Sequence, residues 1–185
     1  MKHSRLWRLC ALFGVLTGTT SAKPQQPFDL DPSFRTSIDT WYVSSLLPVS
    51  DGKVLVSGQI KFPGDFVFRT GARLNPDGSR DVTYPATAYM GGKLTAWSDR
   101  VYAINGIGMR RILLDGTLDA NFHMVSAPNF SALQAGDYHV FPDGRVLFSG
   151  KHQLSDADHG FVGDYCLCWF TDQGYLDTTR VHRTC

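Results

Sequence analysis

The sequence predicts an all-β, propeller-like repeat of about three blade units, and three observations carry that prediction. Composition favours strands: among 185 residues are 18 Gly, 12 Phe and 7 Tyr, and all 17 acidic residues are Asp, so the strong helix former Glu is absent. DGKVLVSG at Asp51–Gly58 recurs as DGRVLFSG at Asp143–Gly150. A second element alternates with the first, as LNPDGSRDVTY from Leu74, ILLDGTLDANF from Ile112 and FTDQGYLDTTR from Phe170.

The elements follow in chain order. Lys2, Arg5 and Arg8 precede an apolar stretch, Leu9 to Leu16, and a small-residue cleavage site at Thr20-Ser21-Ala22, the pattern of an export signal over 1–22. The expected mature chain, 23–185, then has no transmembrane segment, and its location is secreted, periplasmic or cell-surface. A partial copy of the second element, LDPSF, supplies Asp31 and the anchor Phe34. Asp51-Gly52 lies between strand-forming segments and reads as a hairpin turn, because Gly accepts positive φ and Asp bonds its own downstream backbone. In the strand after it Val54 and Val56 share one face and Leu55 the other, so both faces are apolar, as in a sheet stacked between two others.

Aligning Gly78, Gly116 and Gly174 brings Asp81, Asp119 and Asp177 into register, followed by Tyr84, Phe122 and Arg180. Asp77 and Asp115 precede the first two of these glycines as further turn residues. The recurring Asp81, Asp119 and Asp177 read as backbone-bonding turn residues, and Phe34, Tyr84 and Phe122 as core anchors. Arg180 replaces the aromatic and reads as a degraded anchor. The middle copy of the first element is taken as MGGKLTAW, with Gly92 aligned to Gly52 and to Gly144 of the Asp143-Gly144 turn. That alignment spaces the units unequally and suggests that the middle one lacks a strand.

The segments GARLNPDGSRD, Gly71 to Asp81, the GxLDxxF pattern at Gly116 to Phe122, and DGKVLVSG resemble the delta-60 repeat, a predicted β-propeller repeat of exported bacterial proteins. The resemblance runs from about Phe28 to Thr179. It implies a blade-built extracellular or cell-surface module, often within larger proteins, and carries no agreed catalytic set.

Three units do not close a ring, since propellers use four to eight blades to shield their faces and edges. Roughly 800 Å² of apolar surface open at the two ends would forfeit about 20 kcal/mol, more than the usual 5 to 15 kcal/mol stability of a domain. Covering surface is therefore expected from a protein partner, from self-association or from missing adjacent blades. Balanced charge, 18 basic against 17 acidic residues, and the isolated pair Arg110-Arg111 argue against nucleic acid.

Chemistry is sparse. His152, Asp156, Asp158 and His159 share the segment KHQLSDADHG, where Asp156 and Asp158 offer alternate oxygens to a calcium ion. No cofactor is required otherwise. The thiols of YCLCWF allow a disulfide from Cys185 to either Cys166 or Cys168, leaving one over. No G-x-S-x-G, GK[ST] or H-E-x-x-H motif is present. The leading reading is a binding or cell-surface structural module presenting the loops Phe62 to Phe66 and Gln153 to Gly163. The alternatives are a secreted hydrolase or metal-dependent enzyme using Asp156, Asp158 and His159, and a truncated segment without independent activity.

Overall fold

The computed structural model describes residues 31–85, 89–106 and 108–185, so the expected export signal, 1–22, lies outside the described residues. The chain divides after Asp31, and Pro32–Cys185 forms one unit. It is all-β, with three antiparallel sheets, none closed, and no α-helix among the described residues. The first sheet is β1 (Asp39–Pro48), β2 (Val54–Lys61) and β3 (Arg69–Leu74); the second is β4 (Leu94–Trp97), β5 (Arg100–Asn105) and β6 (Gly108–Leu113). In the third, β7 (Phe130–Val140), β8 (Val146–Asp156) and β9 (Phe161–Phe170) are joined at the edge by the short β10 (Arg183–Thr184), in the order β10-β9-β8-β7.

Local chemistry sets the turns. Asp51-Gly52 and Asp143-Gly144 both sit in three-residue hairpin loops closed by the same backbone bond, Val49 N to Lys53 O and Phe141 N to Arg145 O, each 2.9 Å. Their paths differ. Asp51 and Gly52 both take positive φ, whereas in the second loop only Gly144 does. There Pro142 presets the first turn residue, Gly144 N bonds Phe141 O, and Asp143 Oδ1 accepts from Arg145 N.

Gly92 is not a hairpin glycine, which corrects the alignment of the middle unit. Its N–H donates to Ile104 O as the chain enters β4, and the turn belongs to Ser98-Asp99, with Ser98 at φ 54°. By its place in the sheet, SDRVYAI is the counterpart of DGKVLVS and DGRVLFS, with Val101 matching Val54 and Val146 at separations of 47 and 45 residues. No strand is missing. With Val101 in register the units are almost evenly spaced, although the second hairpin spans 62–68 in the first sheet and only 106–107 in the second.

After the third strand of each sheet the same turn recurs. Bridges join Leu74 to Arg80, Ile112 to Leu118 and Phe170 to Leu176. Asp81, Asp119 and Asp177 donate their N–H groups back to Arg73, Arg111 and Trp169, and their carboxylates accept from the backbone N–H two residues on, at Thr83, Asn121 and Thr179. Asp77 and Asp115 accept in the same way from Ser79 and Thr117. Gly78, Gly116 and Gly174 lie at φ between 80° and 92°, where a side chain would also strike the preceding anchor segment: Arg35 at 2.6 Å, the Tyr84 ring at 2.8 Å and Met124 at 2.7 Å respectively. Each anchor thus sits against the turn of the following sheet. Arg35, next to Phe34, donates to Asp77 O, and His123, next to Phe122, donates to Gln173 O.

Strand alternation then divides the apolar residues between successive interfaces. Leu55 of the first sheet packs with Leu94, Val101, Ala103 and Ile112 of the second. From the other face of the second sheet, Tyr102 and Met109 pack with Val146, Phe148, Cys168 and Phe170 of the third. Val56, Ile60, Ala72 and Leu74 form a separate cluster on the remaining face of the first sheet, with Ile38.

Candidate functional site: the open face of the third sheet

Leu55, Tyr102 and Leu147 each follow the matching valine on the second strand of their sheet. Leu55 and Tyr102 are completely buried, each sealed by the next sheet. Leu147 is only partly covered, because no sheet follows among the described residues. Around it on β9 stand Leu167, 38% exposed, and the half-buried Trp169. Trp169 stacks on Phe141 with ring centroids 5.1 Å apart, and Phe141 meets His139 edge-on at 4.6 Å. An aromatic strip therefore crosses the face that the other two sheets use for packing.

The strip also explains Arg180. In the first two sheets an arginine on the third strand lies over the anchor ring, Arg73 at 4.7 Å from Tyr84 and Arg111 at 5.0 Å from Phe122. In the third the pair is exchanged, with Trp169 on the strand and Arg180 at the anchor position, 5.3 Å apart. Arg180 is thus the other half of the same cation–π contact rather than a degraded anchor. The exchange has a second effect. Arg73 donates across to Leu114 O and Arg111 to Asp172 O, joining each sheet to the turn of the next, whereas the indole at 169 carries a single N–H donor in place of a guanidinium's five.

The carboxylates beneath these arginines are built into the sheets. Asp81 is held well below the usual carboxylate range, first by the Lys53 ammonium and then by Thr83, with Arg73 also donating. Burial pushes the Asp119 pKa up, but Asn121 N–H and the guanidinium groups of Arg111 and Arg100 outweigh it, and the net shift is downward.

A second exposed feature is the β2–β3 loop. Phe62 is buried at its base, and Asp65 accepts from Phe62 N at 3.2 Å and from both Arg69 nitrogens at 2.7 and 2.8 Å. Arg69 is the main reason the Asp65 pKa is depressed. On that braced base stand Phe66, 97% exposed, and Val67.

The remaining predicted residues are not gathered into one site. Asp156 is buried and faces His159 Nδ1 at 2.9 Å, while Asp158 stands exposed. Among the described residues no group of three or more His, Cys, Asp or Glu side chains is placed to hold a metal ion. His152 is wholly enclosed, stacked on Phe148 at 4.7 Å, and burial lowers its pKa. Cys166 is bonded to Cys185, which ties β10 to β9, and Cys168 is a core thiol whose pKa burial pushes up to about 12. Tyr165 and Cys168 both enter the core though three residues apart, because the β8–β9 pairing changes register between Ser149 and His152. Phe34 is 38% exposed, which corrects its reading as a core anchor: among the described residues no sheet precedes the first one to cover it, and Asp31 is exposed as well.

No family model matches the sequence, and neither a curated protein nor a solved structure matches it.

Proposed function

We propose that the chain is an exported, propeller-like repeat module of the delta-60 type that acts by binding at the cell surface or outside it. The open face of its third sheet is completed by a further sheet, supplied by another copy of the chain. One observation carries this reading: Leu147 occupies the position at which Leu55 and Tyr102 are sealed by the following sheet, yet it is only partly covered, beside the exposed Leu167 and the half-buried Trp169. The basic, apolar and small-residue pattern over 1–22 supports export. The braced loop bearing Phe66 supports a binding role over catalysis.

Light scattering across a concentration series, with an apolar dye as a second probe, tests the proposal. The expected result is a mass above that of a single chain that rises with concentration, with dye bound to the dissociated form. Leu147→Asp with Leu167→Asp should abolish both while leaving the β-sheet circular dichroism unchanged. A wild-type chain that stays monomeric and binds no dye overturns the reading.

A further inference from the structure

Beyond the open face, the molecule holds a cavity of about 420 Å³ at the edge strand β6, where the second sheet meets β7. We propose that it is a binding site for a small monocarboxylate with a flat or ring-shaped apolar body. Three observations meet there. Arg110 lines the cavity and is half-buried, yet among the described residues it takes part in none of the ion pairs. The other strand arginines that are not fully exposed, Arg69, Arg73, Arg100 and Arg111, all pair with aspartates. A partly desolvated cation without a counter-charge is costly to hold, and an incoming anion relieves that cost.

The repeat sharpens the point. The residues matching Arg110 on the third strands of the other two sheets are Ala72 and Cys168, both small and buried in the core. The middle sheet alone has an arginine there, and that arginine lines the cavity.

Shape and lining select the ligand class. One planar, singly charged fork matches a carboxylate edge to edge, and a phosphate dianion would keep an uncompensated charge. Asn105 and Ser131 add polar groups to the lining, and Met124, Phe130 and Tyr89 add apolar and aromatic surface for the ligand body. The volume falls within the roughly 300–1,000 Å³ typical of small-molecule sites.

The test uses the full chain with labelled methionine methyl groups, titrated with benzoate, glucuronate and inorganic phosphate. Benzoate represents free aromatic acids and glucuronate the acidic sugars of a polysaccharide. The Met124 methyl signal is expected to move saturably with at least one carboxylate. The tighter of the two probes identifies the source. Arg110→Gln should weaken binding about tenfold or more, and Arg110→Lys, which keeps the charge without the fork, by less. An unchanged β-sheet circular dichroism spectrum of the free variants establishes that the sheets are intact. The proposal fails if neither carboxylate shifts Met124 saturably by about 10 mM, if Arg110→Gln binds within twofold of wild type, or if phosphate binds more tightly than both carboxylates.

Discussion

Replacing Arg111 by Met tests whether the arginine clasp holds the second and third sheets together. Arg111 is buried, donates to Asp119 Oδ2 at 2.7 Å and to the Tyr102 hydroxyl at 3.0 Å, and reaches Asp172 O in the third sheet. The rings of Trp97, Tyr102 and Phe122 surround its guanidinium at 5.0 to 5.5 Å. Losing the charged hydrogen bonds costs about 1.5–3 kcal/mol and the desolvated cation–π contacts about 2 kcal/mol, offset in part by burying the Met side chain. Asp119 keeps Arg100 at 2.8 Å, so the carboxylate is not stranded, and the net loss should be about 3 kcal/mol. Arg73→Met, the counterpart in the first sheet, should cost only about 1–2 kcal/mol, because Arg73 is more exposed, meets one ring, and leaves Asp81 with Lys53. Urea unfolding with linear extrapolation measures both, and a double-mutant cycle with Asp119→Asn should give a coupling of about 1.5 kcal/mol or more. Equal costs for the two arginines, or a coupling below about 0.5 kcal/mol, would refute the reasoning.

Four other outcomes follow from particular contacts. Burial lowers the pKa of both His152 and His182, so the unfolded chain takes up their protons first as the pH falls below about 6.5. Stability is full above that value and declines beneath it, by at most about 1.4 kcal/mol per pH unit for each histidine, and urea midpoints for wild type and His152→Phe measure the difference. Restoring the arrangement of the other sheets with Trp169→Arg and Arg180→Phe together should recover most of the stability that either change alone loses, about 1 kcal/mol, read from thermal midpoints. Removing the Cys166–Cys185 bond through Cys185→Ser should cost about 3 kcal/mol under oxidising conditions, given a separation of 19 residues, and nothing under reducing ones. Millimolar calcium should leave the unfolding temperature unchanged, because Asp156 is engaged by His159 and Asp158 stands apart in solvent.

Local chemistry is legible without coordinates. Asp-Gly pairs make turns through their own backbone preferences, and alternating apolar residues in VLV and VLF place side chains on both faces of a strand wherever it sits. Asp81, Asp119 and Asp177 were readable as turn residues because each bonds a backbone group only two residues away. The same logic explains the Ser-Gly ending of the first element. Gly150 lies at φ 144° opposite a register irregularity, where a Cβ would come within 2.1 Å of Gln134 O.

What the sequence concealed was whatever depends on neighbours distant along the chain. SDRVYAI fills the same place as DGKVLVS with almost no shared residues, since a hairpin strand requires only a tolerable turn and side chains that fit the adjoining sheets. Trp169 and Arg180 look like two unrelated departures until their contact makes them one exchange. That Arg110 has no ion pair among the described residues, and that Leu147 is only partly covered, are likewise invisible in a string of letters, where both resemble ordinary strand residues. Turns and strand faces belong to the chain by itself because their energetics close within a few residues. Which face is sealed, and which charge lacks a partner, is decided only when the sheets stack, because burial and pairing are properties of the assembled surfaces.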